Sequence, residues 1–511
     1  MRARGTVLAI ATALVALVVG VAAVGAASRS GPDWQNPELA ANPFSNIHND
    51  SYLSDNYRDL GPVKRGRAEV SQIDKVSFTD PATGQPKTTL LGECAAQTFD
   101  AQGNMVTLCT GVPLPSGGGT WTFHRSIVTI DGAGKILAYA TFDSSAPDLE
   151  QALSDFGGAG YFYLDDQSRP VVAMPDGSIV VYQREDSVLS DVDSWVAARK
   201  IPVGGEAGPL AGHPLYALMP APSGEIWFTT ADGIVGVVRA DDQVRWLDLN
   251  ARGGGEERIA NSHPIGRDGS AYVLTTHRIY RVKIGPGGNP RVVWGASYDR
   301  GRKQKSGQVS HGSGTSPTLF EMGGETYVAI ADNARRMNVV VYRTAAKLAP
   351  GEQRLFAKVR PFGNRVAVSD ENSLVWSPGP GGHGTVLFAE NNWGNETVTS
   401  TVKTKTTKPG VARMLLAPNG RFTVDARNDR VAVPSVVSKA SQRSGLLYTY
   451  EKRRSGWYLT ALRQDDLKQA WTVRVGDGHA RYNNYYAALS LDPDGKTVWI
   501  GTTLGLTKVV P

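Results

Sequence analysis

Histidine is scarce in this chain, 8 among 511 residues, so each one heading an apolar strand is a candidate for proton transfer. Imidazole titrates close to neutrality and acts as a base when a partner orients it. His263, followed by Pro264, is one such residue, and His311 is another. His311 opens the string His311-Gly312-Ser313-Gly314-Thr315-Ser316, whose glycines permit close backbone approach to a ligand and whose hydroxyls and amides suit an anion. His48 and Asp50 form an imidazole–carboxylate grouping. Asp332-Asn333 and Glu390-Asn391-Asn392 carry the oxygen ligands that a hard cation such as Ca²⁺ prefers. His213, Ser316, Ser435, Asn484 and Tyr485 are polar residues at the heads of strands, several beside proline, as the lining of one ligand site would be. Arg336 and Lys439 supply cations able to meet the carboxylates of a ligand. For each residue there is a plainer alternative, because such side chains also satisfy the backbone groups of turns.

The elements that must position these residues repeat. Gly-centred turns at Gly103, Gly177, Gly224, Gly269, Gly324, Gly384, Gly445 and Gly495 each lead into a β-branched or aromatic run such as Ile179-Val180-Val181-Tyr182. Their spacing averages about 56 residues, near the ~40–50 of a propeller blade with its loops. The reading is all-β: an eight-bladed β-propeller over residues 68–511. The last blade ends one strand short, and the run Val70–Phe78 is the candidate to complete it and remove an open sheet edge. Seven blades remain the alternative if the long interval from Gly103 to Gly177 holds one blade. Residues 28–67, rich in Asn, Asp, Ser, Pro and Gly, read as a linker over the surface, with His48 able to fold across a channel mouth.

The repeat body resembles the quinoprotein alcohol dehydrogenase-like (PQQ-like) superfamily of eight-bladed propellers. The residues that carry the resemblance are Ala461 and Trp471, ten apart, as in that superfamily's blade-docking motif; the intervening Asp, Thr and Gly are lost. The resemblance implies blades docked by tryptophan and a site at one channel mouth. A quinone cofactor is the less favoured implication, because the adjacent cysteines of many pyrroloquinoline quinone dehydrogenases are missing.

Behind Arg2 and Arg4, the uncharged run Thr6 to Ala27 is long enough to cross a bilayer as a helix of ~33 Å. Its small-residue exit, Gly25-Ala26-Ala27-Ser28, also suits signal cleavage. Residues 1–27 are thus a signal peptide or an N-terminal membrane anchor, and the body is expected outside the cytoplasmic membrane, secreted or tethered through residues 6–27. Cys94 and Cys109 flank an expected hairpin with its turn at Gln102-Gly103, which favours a disulfide in an oxidising compartment over two thiols or a metal pair. Net charge is only +6, which argues against nucleic acid. No His-Glu-x-x-His, Gly-x-Ser-x-Gly or Cys-x-x-Cys-His string occurs.

Two function classes follow. One is an exported, monomeric propeller binding a small molecule or an envelope partner at one channel mouth. The other is a propeller enzyme: a metal-dependent hydrolase or lactonase using Glu390 and Asp332 with His263 or His311 as base, or an oxidoreductase whose quinone meets Lys439 or Arg336. Ca²⁺ is the cofactor considered, and whether the chain is an enzyme stays open at the level of sequence.

Overall fold

The computed structural model describes residues 34–111, 114–117, 120–146, 160–252, 256–308, 310–397, 400 and 407–511. The two alternatives for residues 1–27 therefore lie outside the described residues. Among those described, no helix is long and apolar enough to cross a membrane.

The chain is a β-propeller. Alternating and β-branched runs form antiparallel sheets of three or four strands, and grouping the strands by connection gives eight blade units, consistent with the sequence reading. Blades one and two are continuous by hydrogen bonding, because Asp193-Ser194 pairs in parallel with Ala138-Tyr139, yet each has its own four strands. The last blade is closed as expected: Glu69–Ile73 pairs antiparallel with Leu506–Val510. The predicted strand Val70–Phe78 is broken at Asp74, however. Its second half, Lys75–Thr79, pairs with Pro86–Leu90 instead.

Seven of the eight Gly turns join the first and second strands of their blades and lie on one face. Gly177 does not; it joins the second and third strands of blade two. The matching turn there is Asp165–Arg169, which contains no glycine, and Ser168 takes the left-handed conformation at φ 59°. Asp165 steadies it by accepting from Gln167 N at 3.0 Å and Arg169 N at 2.8 Å. This substitution of an Asp-braced turn for a Gly turn produces the long interval that had left seven blades open.

Tryptophans join adjacent blades through their indole N–H. Trp195 donates to Thr129 of blade one at 3.0 Å, Trp227 to Gly269 O of blade four at 3.1 Å, and Trp294 to Thr344 O of blade five at 3.1 Å. Ala461 and Trp471 stand directly opposite each other on paired strands. Trp471 is buried and its ring meets Tyr448 with centroids 5.8 Å apart.

The segment read as a surface linker is the largest departure. Residues 34–62 are mostly buried and fill the propeller axis. Backbone carbonyls of Phe44, Ser45, Ser51, Tyr52, Ser54 and Asp55 accept from Phe99, Leu164, Ile265, Leu319, Trp376 and Ala440, one on each of six blades. Asn36 reaches the Pro220 carbonyl of blade three at 2.9 Å, and the Tyr57 hydroxyl accepts from Leu491 N of blade eight at 3.2 Å. The plug therefore touches every blade. It enters and leaves on the face of the tight turns: the Tyr52 hydroxyl donates to Glu321 beside the Gly323 turn, and Ser441, before the Gly445 turn, donates to Leu60 O.

Cys94 and Cys109 are disulfide-bonded across paired strands of blade one. Closing a loop of this length restricts the unfolded chain by about 3 kcal/mol in the entropy model. The double variant Cys94→Ala/Cys109→Ala is expected to lose about 2–4 kcal/mol in a urea titration, with a somewhat larger m-value because the unfolded chain is no longer cross-linked.

Candidate functional site

The axis holds a buried ion cluster. Lys439, on the inner strand of blade seven, donates to Asp55 of the plug and to the Ile47 carbonyl, the latter at 2.5 Å. The other oxygen of Asp55 faces His48 Nδ1 at 3.1 Å. All three side chains are fully buried. Burial pushes the Lys439 ammonium down, and the Asp55 charge works against that shift. The plug makes the cluster possible because Asn49, Leu53 and Asp55 adopt positive φ, turning the chain tightly enough to present His48 and Asp55 together.

Around this cluster, burial keeps other ionisable groups neutral. Glu390 is pushed up to about 8, mainly by desolvation, with a Ser438 hydrogen bond opposing and the Asp55 charge reinforcing the shift. Glu93 is likewise raised by desolvation to about 8, although its Oε1 accepts from Tyr485 N at 3.0 Å. Asp50 rises to about 7 through desolvation, against hydrogen bonds from Ser54 and Tyr52. His263 is lowered by burial to about 3, and neither ring nitrogen has a hydrogen-bond partner among the described residues.

Loops gather on the face opposite the tight turns and cover this end of the axis. Tyr486, at φ 64°, donates to the Gly307 carbonyl at 3.1 Å, tying blade eight to the loop before blade five. Lys305 of that loop is buried and donates to Ala334 O at 2.6 Å and Ala367 O at 3.3 Å. Desolvation lowers it to about 8.

The structure distributes the sequence candidates rather than gathering them. His48 and Asp50 are interior plug residues, not surface linker residues able to cross a mouth. His213 stands apart just ahead of Leu215–Pro220, the inner strand of blade three, its Nδ1 2.6 Å from Asp232, which Thr230 braces at 2.6 Å. His311 Nδ1 lies 3.3 Å from the Arg300 guanidinium. Arg336 is bound to Asn364. Ser435 donates to the Asn484 carbonyl at 2.9 Å, and Asn484 donates to Ala487 O and Gly501 O, so both residues brace blades seven and eight. Ser316 is buried. An imidazole neutral down to about pH 3 is a poor proton acceptor near neutrality, which removes the reason for choosing His263 as base.

The oxygen-rich strings do not form one ligand set. Asp332 accepts from Asn338 N at 2.7 Å, Asn338 Nδ2 at 2.6 Å and Ala334 N at 3.2 Å. Asn391 Oδ1 accepts from Val368 N and Trp393 N at 3.2 Å. Asn333 donates to Arg300 O at 2.8 Å, and Asn392 to Val433 O at 3.3 Å. Among the described residues no three His, Cys, Asp or Glu side chains cluster as metal ligands. A quinone's carboxylates fit no better, because Lys439 is committed to Asp55 and Ile47. Sequence reasoning missed Asp55, the partner of two candidates, and Glu93; the density of Asn, Asp and Ser from Asn46 to Asn56 was the available signal.

No family model matches the chain. An uncharacterized protein of Archaeoglobus fulgidus is 26% identical over 326 residues, 58% of this chain and 61% of that one, so the match spans under two thirds of the relative's length. Similar solved structures include Sqt1 from Chaetomium thermophilum bound to the N-terminus of ribosomal protein L10, with 12% identity, 79% and 93% of the two chains covered, and TM-score 0.42. The Nup133 β-propeller domain of Vanderwaltozyma polyspora is similar at 10% identity, 67% and 91% coverage, and TM-score 0.39. A putative 6-phosphogluconolactonase of Bacteroides fragilis gives 12% identity, 73% and 94% coverage, and TM-score 0.37.

Two predictions follow from the axial electrostatics. Asp55→Asn is expected to cost about 3–5 kcal/mol in a denaturant titration, because it leaves the Lys439 charge buried and unpaired. Asp55→Asn/Lys439→Met should cost less than the sum of the two single changes. The second concerns pH. Folded Glu93 and Glu390 keep protons up to about 8, whereas the unfolded chain releases them near 4.5, so the native state binds more protons in between and stability falls as pH rises. His263 acts oppositely, but only between about 3 and 6.5. From pH 6.5 to 8 the melting temperature should therefore drop by roughly a few degrees, and Glu93→Gln, which keeps the acceptor for Tyr485 N, should reduce that drop.

Proposed function

We propose that this chain is an exported binding propeller whose working surface is the loop-bearing face, with a small molecule or envelope component as its partner. One observation carries the reading: the axis, where a channel site would lie, is filled by residues 34–62 of the chain itself. Lys439, Asp55 and His48 answer one another there. The same filling weighs against the hydrolase and quinone-oxidoreductase alternatives. Export is supported by the Thr6 to Ala27 run with its small-residue exit, and the disulfide is compatible with it. Membership of the PQQ-like superfamily draws support from Ala461 facing Trp471 and from the tryptophan ties between blades.

Hydrogen exchange measured on the purified full chain tests the central premise. The amides of Leu53 and Asp55, bonded within the plug, should exchange as slowly as core amides such as Val180 and Trp499. Exchange as fast as in exposed loops would mean that the axis opens readily, and the face-binding reading would give way to an axial site.

A further inference from the structure

A groove of about 570 Å³ on the loop-bearing face is lined by Thr407, Pro409, Arg430, Ala432, Glu451, Lys452, Arg453 and Arg454. Four of these residues are cationic and one is acidic. The acid is already engaged: Glu451 Oε2 accepts from Arg453 at 2.7 Å and from Thr460 at 2.8 Å. Arg430, Lys452 and Arg454 have no ion pair among the described residues. The acids close to them are committed elsewhere or too distant to pair. Asp429 holds Arg365 at 3.0 Å and Arg427 at 2.9 Å. Asp477 acts on Lys452 only through space.

Two further features distinguish this groove from an ordinary charged surface. Lys452 is buried to 7% exposure, with its ammonium 5.3 Å from the Trp457 ring centroid, so its charge is held in place rather than free in solvent. Thr407 is 1% exposed, and its hydroxyl has no hydrogen-bond partner among the described residues. A buried donor of this kind is costly unless something accepts from it. Lys408, exposed and next to Thr407, adds a further cation beside the groove.

We propose that this groove is a binding site for a phosphate-class oxyanion. Guanidinium forks from Arg430 and Arg454, the fixed Lys452 ammonium and the Thr407 hydroxyl are the donor types that such an anion accepts. Three unpaired cations exceed what one carboxylate neutralises, which favours the multiply charged anion. The site narrows the face-binding reading to a ligand class and rests on it.

The test uses the full chain, titrated with inorganic phosphate and with glycerol 3-phosphate against sodium acetate at matched ionic strength. Binding is read by calorimetry and by the fluorescence of tryptophan, because Trp457 lies against Lys452. Saturable 1:1 binding of either phosphate, absent with acetate, is expected, and Lys452→Gln and Arg454→Gln should each weaken it at least about tenfold. Tighter binding of the ester would identify a phosphate ester as the source; equal binding would identify free phosphate. Arg454 is exposed on a hairpin tip, so its replacement leaves folding intact. Lys496→Gln, on the tight-turn face, should bind as the parent does. Equal response to acetate, no saturation, or equal weakening by Lys496→Gln would overturn the site. Slow plug exchange together with no phosphate binding would remove the groove and leave the face-binding reading standing.

Discussion

Eight inner strands facing one axis create a problem that a closed propeller does not solve by itself. Each inner strand has one edge without a neighbouring strand, and its N–H and C=O groups must find partners or water. Here the chain supplies the partners. One carbonyl after another along residues 44–55 meets an inner-strand N–H of a different blade. The blades are thus held to one another by their tryptophan contacts and at the axis by a shared segment. Removing either side of an axial contact would leave a buried donor or acceptor unsatisfied, which costs more than the bond itself contributes.

A plug of this kind must be polar, and its polarity has electrostatic consequences. Side chains able to make tight turns and bond to strand edges are Asn, Asp and Ser, so carboxylates come inside with them. Asp55 is stabilised by Lys439 and His48. Asp50, with hydroxyl and amide donors alone, and Glu93, with one amide, respond to burial by holding their protons. The interior therefore holds one matched charge cluster among neutral acids and a neutral imidazole. Burial moves His263 away from the proton-transfer range near neutrality and moves these carboxyls toward it.

The same reasoning explains what could and could not be read from sequence. The propeller was legible because Gly turns and β-branched runs follow local rules, and Glu69–Ile73 could be matched to the missing strand of blade eight. The turn at Ser168 escaped notice because an aspartate brace replaced the glycine. The plug was misread for a deeper reason: a string such as Asn46-Ile47-His48-Asn49-Asp50-Ser51 has the composition of a surface loop. Composition reports that backbone and side chains need polar partners. It does not report whether water or eight strand edges provide them. For the site, individual residues such as Lys439 and His48 were visible, but their mutual partner Asp55 was not, since pairing across nearly four hundred residues leaves no local trace.

The path of the plug also orients the molecule. Trp34 rests on Tyr52, with ring centroids 5.4 Å apart, and the Tyr52 hydroxyl bonds Glu321 beside a Gly turn, so the described chain begins on the tight-turn face. It leaves the axis there too, where Arg58 and Leu60 meet Arg443 and Ser441. Whatever precedes Trp34 starts from that face. Short Gly and Asp turns expose little side-chain variety for recognition, whereas the opposite face carries the loops and the unpaired cations. Plug and loops thus separate a face of short turns, where the plug enters and leaves, from a face of longer loops.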